Sequence, residues 1–483
     1  MKKYILYIVC CCLLCNTIQA QKNNNGIENL KTEASRALQS QYGVYKNIAL
    51  EIWNFAEVGY KEIKSSALLQ KTLRDNGFIV QAGVAEIPTA FVATYGSGKP
   101  VIAILGEFDA LPGLSQEAVP EKKSISGKDA GHACGHHLFG TASVAAGIEI
   151  KKLIEEKKFN GTIKVFGCPA EEGGSGKVYM VREGLFKDAD VVIHWHPDNE
   201  NNITMTSALA NKSAKFRFKG LSAHASASPE KGRSALDGVE AMDNMVNMMR
   251  EHVPQETRIH YVITNGGRAP NVIPDFAEVY YYVRHPKKDD VKEIFERVLM
   301  AAKGAAMGTG TTVEYEIIGG THDLLLNKML GEVMQKNLEK VGGVTYTTEE
   351  IEFGKKIQST FTYKSPAIQT STTIVPLKLT PDAGGGSTDV GDVSYVVPTV
   401  GMGSATWVPG TPAHSWQAVA CGGTDIAIKG MMVAAKTMAL TAIDLFTNPE
   451  LIAKALQEFK MAKGNYKYVP LLGNRQPALN YRD

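Results

Sequence analysis

Hydrophobic positions change their spacing as the chain proceeds, and each change marks a different kind of structure. From Ile27 to Gly77 they recur at helical intervals, as in KTEASRALQSQYGVYKNIALEIWNFAEVG, which predicts helices. Short apolar runs then take over, each closed by glycine, proline or polar residues: FVATYG, VIAILGEFDALPG, TIKVFGCPAEEGG and ADVVIHWHP. These read as buried strands, separated by helical stretches such as Thr141 to Lys152 and Val178 to Gly184. Strands alternating with helices predict an α/β sheet, whose ligands collect where loops leave the carboxyl ends of the strands. Those exits carry Glu107 and Asp109, Glu171 and Glu172, and His194 and His196.

From about Ser207 the texture changes. AKFRFKG alternates like a strand, Arg233 to Met249 is helical, TRIHYVIT and FAEVYYYVRHP are strands, Asp289 to Met307 is helical and TTVEYEII is a strand. Strand, helix, two strands, helix, strand predicts a ferredoxin-like α/β sandwich. After Leu325 the chain returns to its earlier style, so the sandwich (207–322) reads as an insertion dividing a larger α/β domain into 21–206 and 323–483. A glycine-dense segment, TPDAGGGSTDVGDVSYVVPTVGMG, and His414 precede a final long helix.

Composition narrows the function classes. With 483 residues, 44% hydrophobic and 21% charged, the chain can bury a large core. Its 52 Lys and Arg nearly balance 50 Asp and Glu, with no long run of one sign, so nucleic acid is not an expected partner. Lys2 and Lys3, an apolar run from Tyr4 to Leu14 and a polar stretch ending at Ala20 predict a secretory signal and an exported protein, periplasmic or secreted. No later segment is expected to span a membrane, since Lys429 and Lys436 interrupt the apolar helix from Asp425 to Phe446. Cleavage after Ala20 would remove four of seven cysteines and leave Cys134, Cys168 and Cys421, too few for a disulfide framework.

Candidate chemistry gathers in a few motifs. In GHACGHH, Cys134 and His136 flank Gly135, which lets both side chains face one centre in a loop leading into the helix from Thr141. Thiolate and imidazole suit zinc and similar transition metals; His132 and His137 are further candidates in the same turn. Glu171 and Glu172 follow a strand and point in different directions, so one can bind a cation while the other acts as a base. His194 and His196 alternate at another exit and project to the same side. Donors arriving from separate strand exits make the ligand set of a hydrolytic site, with two cations about 3.5–4 Å apart.

GEFDALPG, HACGH, PAEEGG, IHWHP, SAHAS, NVIPD and GGSTDVGDVSYVVPT, in that order, resemble the two-domain co-catalytic metallopeptidases and amidohydrolases. That family includes aminoacylases, glutamate carboxypeptidases and auxin-conjugate hydrolases. The likeness covers nearly the whole chain after residue 20, and within the family it is to the branch of p-aminobenzoyl-glutamate hydrolase B subunits. The resemblance implies a mixed-sheet catalytic α/β domain, an inserted dimerisation domain forming a homodimer, and two divalent ions, Mn2+ or Zn2+. It further implies Cys134, His136, Glu172, His194 and His414 as metal ligands and Glu171 as the catalytic base. His224 would polarise the substrate carbonyl, often from the partner subunit. Asp109 would orient a ligand, His196 would stand outside the ligands, and Asn271 and Arg284 would bind substrate. Relatives usually carry Asp where this chain has His137, so His137 is expected behind the ligands.

The expected activity is hydrolysis of the amide bond of an N-acyl or N-aroyl amino acid, a small-molecule substrate. Rival readings are a Cys134 nucleophile, a dipeptidase or carboxypeptidase of the same family, and a binding protein that consumes nothing.

Overall fold

The structure, a computed structural model, describes residues 25–380 and 385–482. The expected export signal lies outside the described residues. Helices α1 (25–40), α2 (Tyr42–Phe55) and α3 (Ile63–Asp75) fill the first helical zone. Strands β1 (Ile79–Ala82), β2 (Phe91–Ser97) and β3 (Val101–Glu107) lead to α4 (His136–Glu155), then β4 (Gly161–Cys168). A short turn of helix, α5 (Glu171–Gly174), and α6 (Gly176–Arg182) precede β5 (Val191–Asp198) and β6 (Asn202–Ile203).

The insertion contains β7 (Ala210–Lys219), α7 (Ala235–Met249), β8 (Arg258–Asn265), β9 (Phe276–His285), α8 (Lys288–Thr309) and β10 (Thr312–Thr321). The chain then forms α9 (Lys328–Val341), α10 (Thr348–Ser359), α11 (Val390–Ser394), β11 (Thr399–Ala405), α12 (Trp416–Gly422), α13 (Asp425–Thr447) and α14 (Pro449–Lys463).

Seven strands form one mixed sheet in the order β1-β2-β4-β3-β5-β11-β6. Its centre, β4-β3-β5-β11, is parallel, and the outer strands run antiparallel to their neighbours. The centre is buried on both faces, which is why β3, VIAILGE, is apolar throughout until its final Glu107. The second sheet, β10-β7-β9-β8, is antiparallel throughout, the pairing of a ferredoxin-like sandwich, with its own core of Phe216, Tyr281 and Phe295. The expected fold class holds: a mixed α/β domain with a ferredoxin-like insertion.

Two local expectations need adjusting. Helix α4 starts at His136, five residues before Thr141, so His136 and His137 lie on its first turn instead of in a loop. Gly135 makes the early start possible: its φ is +74°, and a Cβ there would lie 2.6 Å from Pro197 Cβ. By length and composition α13 could cross a membrane, but 89% of its most apolar stretch is buried within the protein, where it packs as a core helix. The large core absorbs it.

Candidate metal and amidohydrolase site

The parallel centre of the large sheet directs four carboxyl ends toward one region. Glu107 ends β3 and Glu171 follows β4, while His196 lies near the end of β5. His414 follows β11 and is docked by its own backbone, whose N–H donates to the Ala133 carbonyl at 3.0 Å. That bond brings a residue distant in sequence beside Cys134. Three non-glycine residues of the site, Ala170, Ser175 and His414, have φ of 55°, 60° and 57°. At Ala170 and Ser175 this left-handed backbone brackets the Glu171–Glu172 turn and is held by its surroundings.

Among the described residues, donor atoms fall into three overlapping groups, each within 4.8 Å: Cys134 with His136 and His196, Cys134 with Glu172 and His414, and Glu107 with His136 and Glu171. Cys134 belongs to the first two, which suits one thiolate shared between neighbouring cations. Its Sγ is 3.4 Å from His196 Nε2, and His414 Nε2 is 3.0 Å from Glu172 Oε1. Several buried polar atoms crowd here without a well-formed hydrogen bond: His136 Nε2 and Glu107 Oε2 face each other at 3.1 Å, and Glu172 Oε1 has only the ion-pair contact with His414. Buried donors and acceptors are ordinarily satisfied, so their convergence fits a cation-binding centre.

Asp109 stands behind this set. Its Oδ1 accepts from His136 Nδ1 at 2.9 Å and its Oδ2 from the Glu172 backbone N–H at 2.9 Å. One carboxylate therefore fixes the His136 tautomer, with Nε2 facing the site, and positions the Glu172 turn.

Burial opposes protonation of His136, but the Coulombic pull of Cys134, Glu107 and Asp109 outweighs burial and holds its pKa well above the usual histidine value. Burial pushes the Cys134 thiol far above its ordinary range. Without a cation this thiol is neutral and a poor nucleophile.

His194, expected as a ligand, joins none of the three donor groups, and its buried Nε2 has no hydrogen-bond partner; His196 stands beside Cys134 and His136. The two histidines stand two positions apart, roughly 7 Å along β5. His194 is the deeper one, its ring against Gly401 of the paired strand, where a Cβ would lie 2.2 Å from the imidazole. Burial lowers its pKa to about 3. His196→Ala is expected to lose at least one tightly held cation equivalent, whereas His194→Ala retains both; elemental analysis of the two purified variants checks this.

His137 is buried behind the donors. It makes no hydrogen bond to any donor and instead donates from Nε2 to the Gly422 carbonyl at 3.0 Å, stacking near His132 at 4.9 Å between ring centroids. His132 donates in turn to the Ile52 carbonyl. Both rings brace the helices behind the site.

His224 and Asn271 are exposed on adjoining loops of the insertion, apart from the donors of their own chain. Arg284, near the end of β9, does reach the site. It helps line a cavity of about 620 Å3 between the two sheets, together with Cys134, Glu171, Glu172, His196 and His414.

Sequence patterning places Glu107 at a strand exit without giving it a role, and it does not single out Lys177 or Asp389. Lys177 Nζ is fully buried, 2.6 Å from Glu107 Oε1 and 2.6 Å from Asp389 Oδ1. Their only signal is that Lys177 follows the GGSG turn and Asp389 sits in the glycine-dense segment. Burial raises the Glu171 pKa well above the ordinary carboxylate value, and the neighbouring charges of Glu107, Glu172 and Asp389 add to the effect.

The chain is 41% identical over 468 residues to the B subunit of p-aminobenzoyl-glutamate hydrolase from Escherichia coli (strain K12), covering 92% of this chain and 97% of that one. Residues 210–307 match the peptidase dimerisation domain of the M20 peptidases. The chain belongs to the M20 family. It is accordingly an enzyme of the peptidase and amidohydrolase class. Another relative, Xaa-Arg dipeptidase of Mus musculus, is 28% identical, with 90% of this chain and 93% of the relative aligned. The fold is shared with Bacillus subtilis YXEP, described as a dinuclear metal binding peptidase from the M20 family, at a TM-score of 0.58 and 15% identity over 84% of this chain and 99% of that one. The M20 dimerisation domain corresponds to the ferredoxin-like insertion, matched from β7 into α8.

Proposed function

We propose that this enzyme hydrolyses the amide bond of N-acyl or N-aroyl amino acids, p-aminobenzoyl-glutamate among them, in a reaction dependent on divalent metal. The overlapping donor groups that share Cys134 carry this reading. Cys134, His136, His196, Glu172 and His414 would hold two cations, with Mn2+ and Zn2+ the ions to test. When bound, the cations supply positive charge that polarises the scissile carbonyl and acidifies a water molecule.

The chain's own residues do the rest. Glu171 takes a proton from the water and delivers it to the leaving nitrogen, and its raised pKa suits it to hold that proton in between. Asp109 keeps His136 Nε2 aimed into the site. Arg284, whose buried Nε has no partner, clamps a substrate carboxylate. His224 and Asn271, exposed on the insertion, would act on the partner's site in a homodimer. Two E. coli relatives are named as the B and A subunits of one hydrolase, so a mixed assembly is the alternative outcome of a mass measurement.

Release of free amino acid from p-aminobenzoyl-glutamate, an N-acyl amino acid and a dipeptide, with Mn2+ and Zn2+ supplied separately, tests the proposal. Release from none of them removes it and favours a binding protein. The dipeptidase reading gains if only the dipeptide is cut.

Proton release offers an independent check. The Cys134 thiol and the His136 imidazolium both hold their protons more firmly than usual, so cations must displace them. Loading the metal-free protein at pH 7 is expected to release about two protons from these groups. Both pKa values are raised, so apparent metal affinity rises with pH from acid through neutrality. Calorimetry in buffers of different ionisation enthalpy measures the release, and an affinity independent of pH contradicts the ligand set.

A further inference from the structure

The segment that follows α14 crosses from one domain to the other and ends against the catalytic turn. Leu471 packs into the core of the insertion, while Leu472 belongs to that of the large domain. Arg475 donates from Nη1 to the Ile318 carbonyl at 2.6 Å and pairs through Nη2 with Glu316 Oε1 at 3.1 Å, both on β10. From the large domain, Arg182 Nη1 donates to the Arg475 carbonyl at 2.6 Å, which fixes the segment on its other side. Tyr481 then donates its hydroxyl to the Glu172 carbonyl at 2.9 Å and meets the Tyr60 ring edge-on at 5.5 Å. Arg482 is thus delivered to the cavity by a held backbone.

Arg482 Nη2 donates to the same Glu172 carbonyl at 2.5 Å, which anchors one edge of the guanidinium. The group lines the cavity that holds Cys134, Glu171, Glu172 and Arg284. Its Nε is buried and has no partner, and so is the Nε of Arg284. Two guanidinium groups therefore face one cavity, one from each side of the domain boundary, each with an unused buried donor. Buried N–H groups are ordinarily paired, and a planar guanidinium fits a carboxylate better than any neutral acceptor. Two of the three acids of the cavity are otherwise engaged, Glu172 with His414 and Asp389 with Lys177, and the third, Glu171, is the base.

We propose that Arg482 is a specificity-determining residue that receives a second substrate carboxylate, so that the enzyme prefers amides of acidic amino acids. Arg284 takes one carboxylate of an aspartyl or glutamyl moiety and Arg482 takes the other. A monoanionic substrate leaves one guanidinium unpaired and is bound less well. This inference rests on the reading of the cavity as an acyl-amino acid hydrolase site, and it specifies which amino acids that site selects.

The test compares p-aminobenzoyl-glutamate with p-aminobenzoyl-glutamine, which differ in the side-chain charge, in the full chain and in its Arg482→Gln and Arg482→Lys variants. Arg482→Gln is expected to lower the glutamate-to-glutamine ratio of kcat/KM by about 10–100-fold, chiefly through KM for the glutamate substrate, with Arg482→Lys intermediate. The glutamine substrate also reports whether the variant is folded. Equal losses on both substrates would mean that Arg482 only positions the Glu172 turn, and an unchanged ratio would mean that it reads nothing. Either result overturns the inference. Calorimetric binding of both compounds in a Glu171→Gln background measures the same ratio without turnover. If the unaltered enzyme cleaves neither compound, the hydrolase proposal falls, and the binding ratio still decides the role of Arg482.

Discussion

Glu171→Gln is expected to reduce turnover by roughly 10²–10⁴-fold, the usual contribution of a positioned general base, while both cations remain bound. Glutamine matches the size of glutamate and accepts hydrogen bonds, so packing around the turn is preserved. It cannot carry the proton. Glu171 is suited to the task because burial and the charges of Glu107, Glu172 and Asp389 raise its pKa well above the carboxylate norm. A carboxylate raised in this way holds a proton more readily between its removal from water and its delivery to the leaving nitrogen. Steady-state kinetics paired with elemental analysis separates this role from ligation. If the variant loses a cation together with its activity, Glu171 is a ligand, as its grouping with Glu107 and His136 would allow. If it keeps full activity, another group is the base.

Cys134→Ala is expected to abolish measurable turnover and to weaken both cations, since Cys134 alone belongs to both the His136–His196 and the Glu172–His414 groups. Removing a donor that two sites share costs more than removing a donor used by one. A hydrolase using Cys134 as nucleophile would also die with this substitution, so metal content provides the distinction. In the metal reading the alanine variant loses metal, and chelation inactivates the unaltered enzyme. In the thiol reading metal content has no bearing on activity, and alkylation inactivates the metal-free protein promptly. Burial holds the Cys134 thiol neutral in the absence of a cation, so the metal-free protein is expected to react slowly with alkylating reagents at neutral pH. Rapid alkylation of the metal-free protein, with activity that survives chelation, would falsify the metal assignment.

Much of the architecture was legible because it depends on local patterning. Apolar runs located four of the seven strands of the large sheet, β2 to β5, while alternation and period-3.6 spacing located the strands and helices of the insertion, with ends displaced by a few residues; β1, β6 and β11 carried no such signal. α4 shows why the ends moved. Its start depends on Gly135 adopting a positive φ against Pro197 and Trp407, contacts made by chain some 60 and 270 residues away. The Glu171–Glu172 turn was likewise visible in the sequence, but not the bonds from Asp109, Tyr481 and Arg482 that hold it.

The choice between His194 and His196 marks the boundary most clearly. Alternation along a strand puts both on one side, and the motif resemblance favours His194, but neither fixes how far a strand projects beyond its neighbours. That distance depends on the register of β5 with β11, where His194 faces Gly401 and His196 faces Gly403, and on which rings the partner strand leaves uncovered. Lys177 and Asp389 illustrate the same limit: a buried ion pair between residues more than 200 positions apart has no local signature.

By itself the sequence determined the two α/β layers, the inserted sandwich, the HACGH and EEGG donors and the resemblance to a family of amide hydrolases. Those features depend on residue type and short-range spacing. Only the tertiary structure decided which histidine joins Cys134, what supports Glu171, that His137 braces a helix, and that Arg482 shares a cavity with Arg284. Each of those depends on distances between segments remote in the chain, which packing sets and periodicity does not encode.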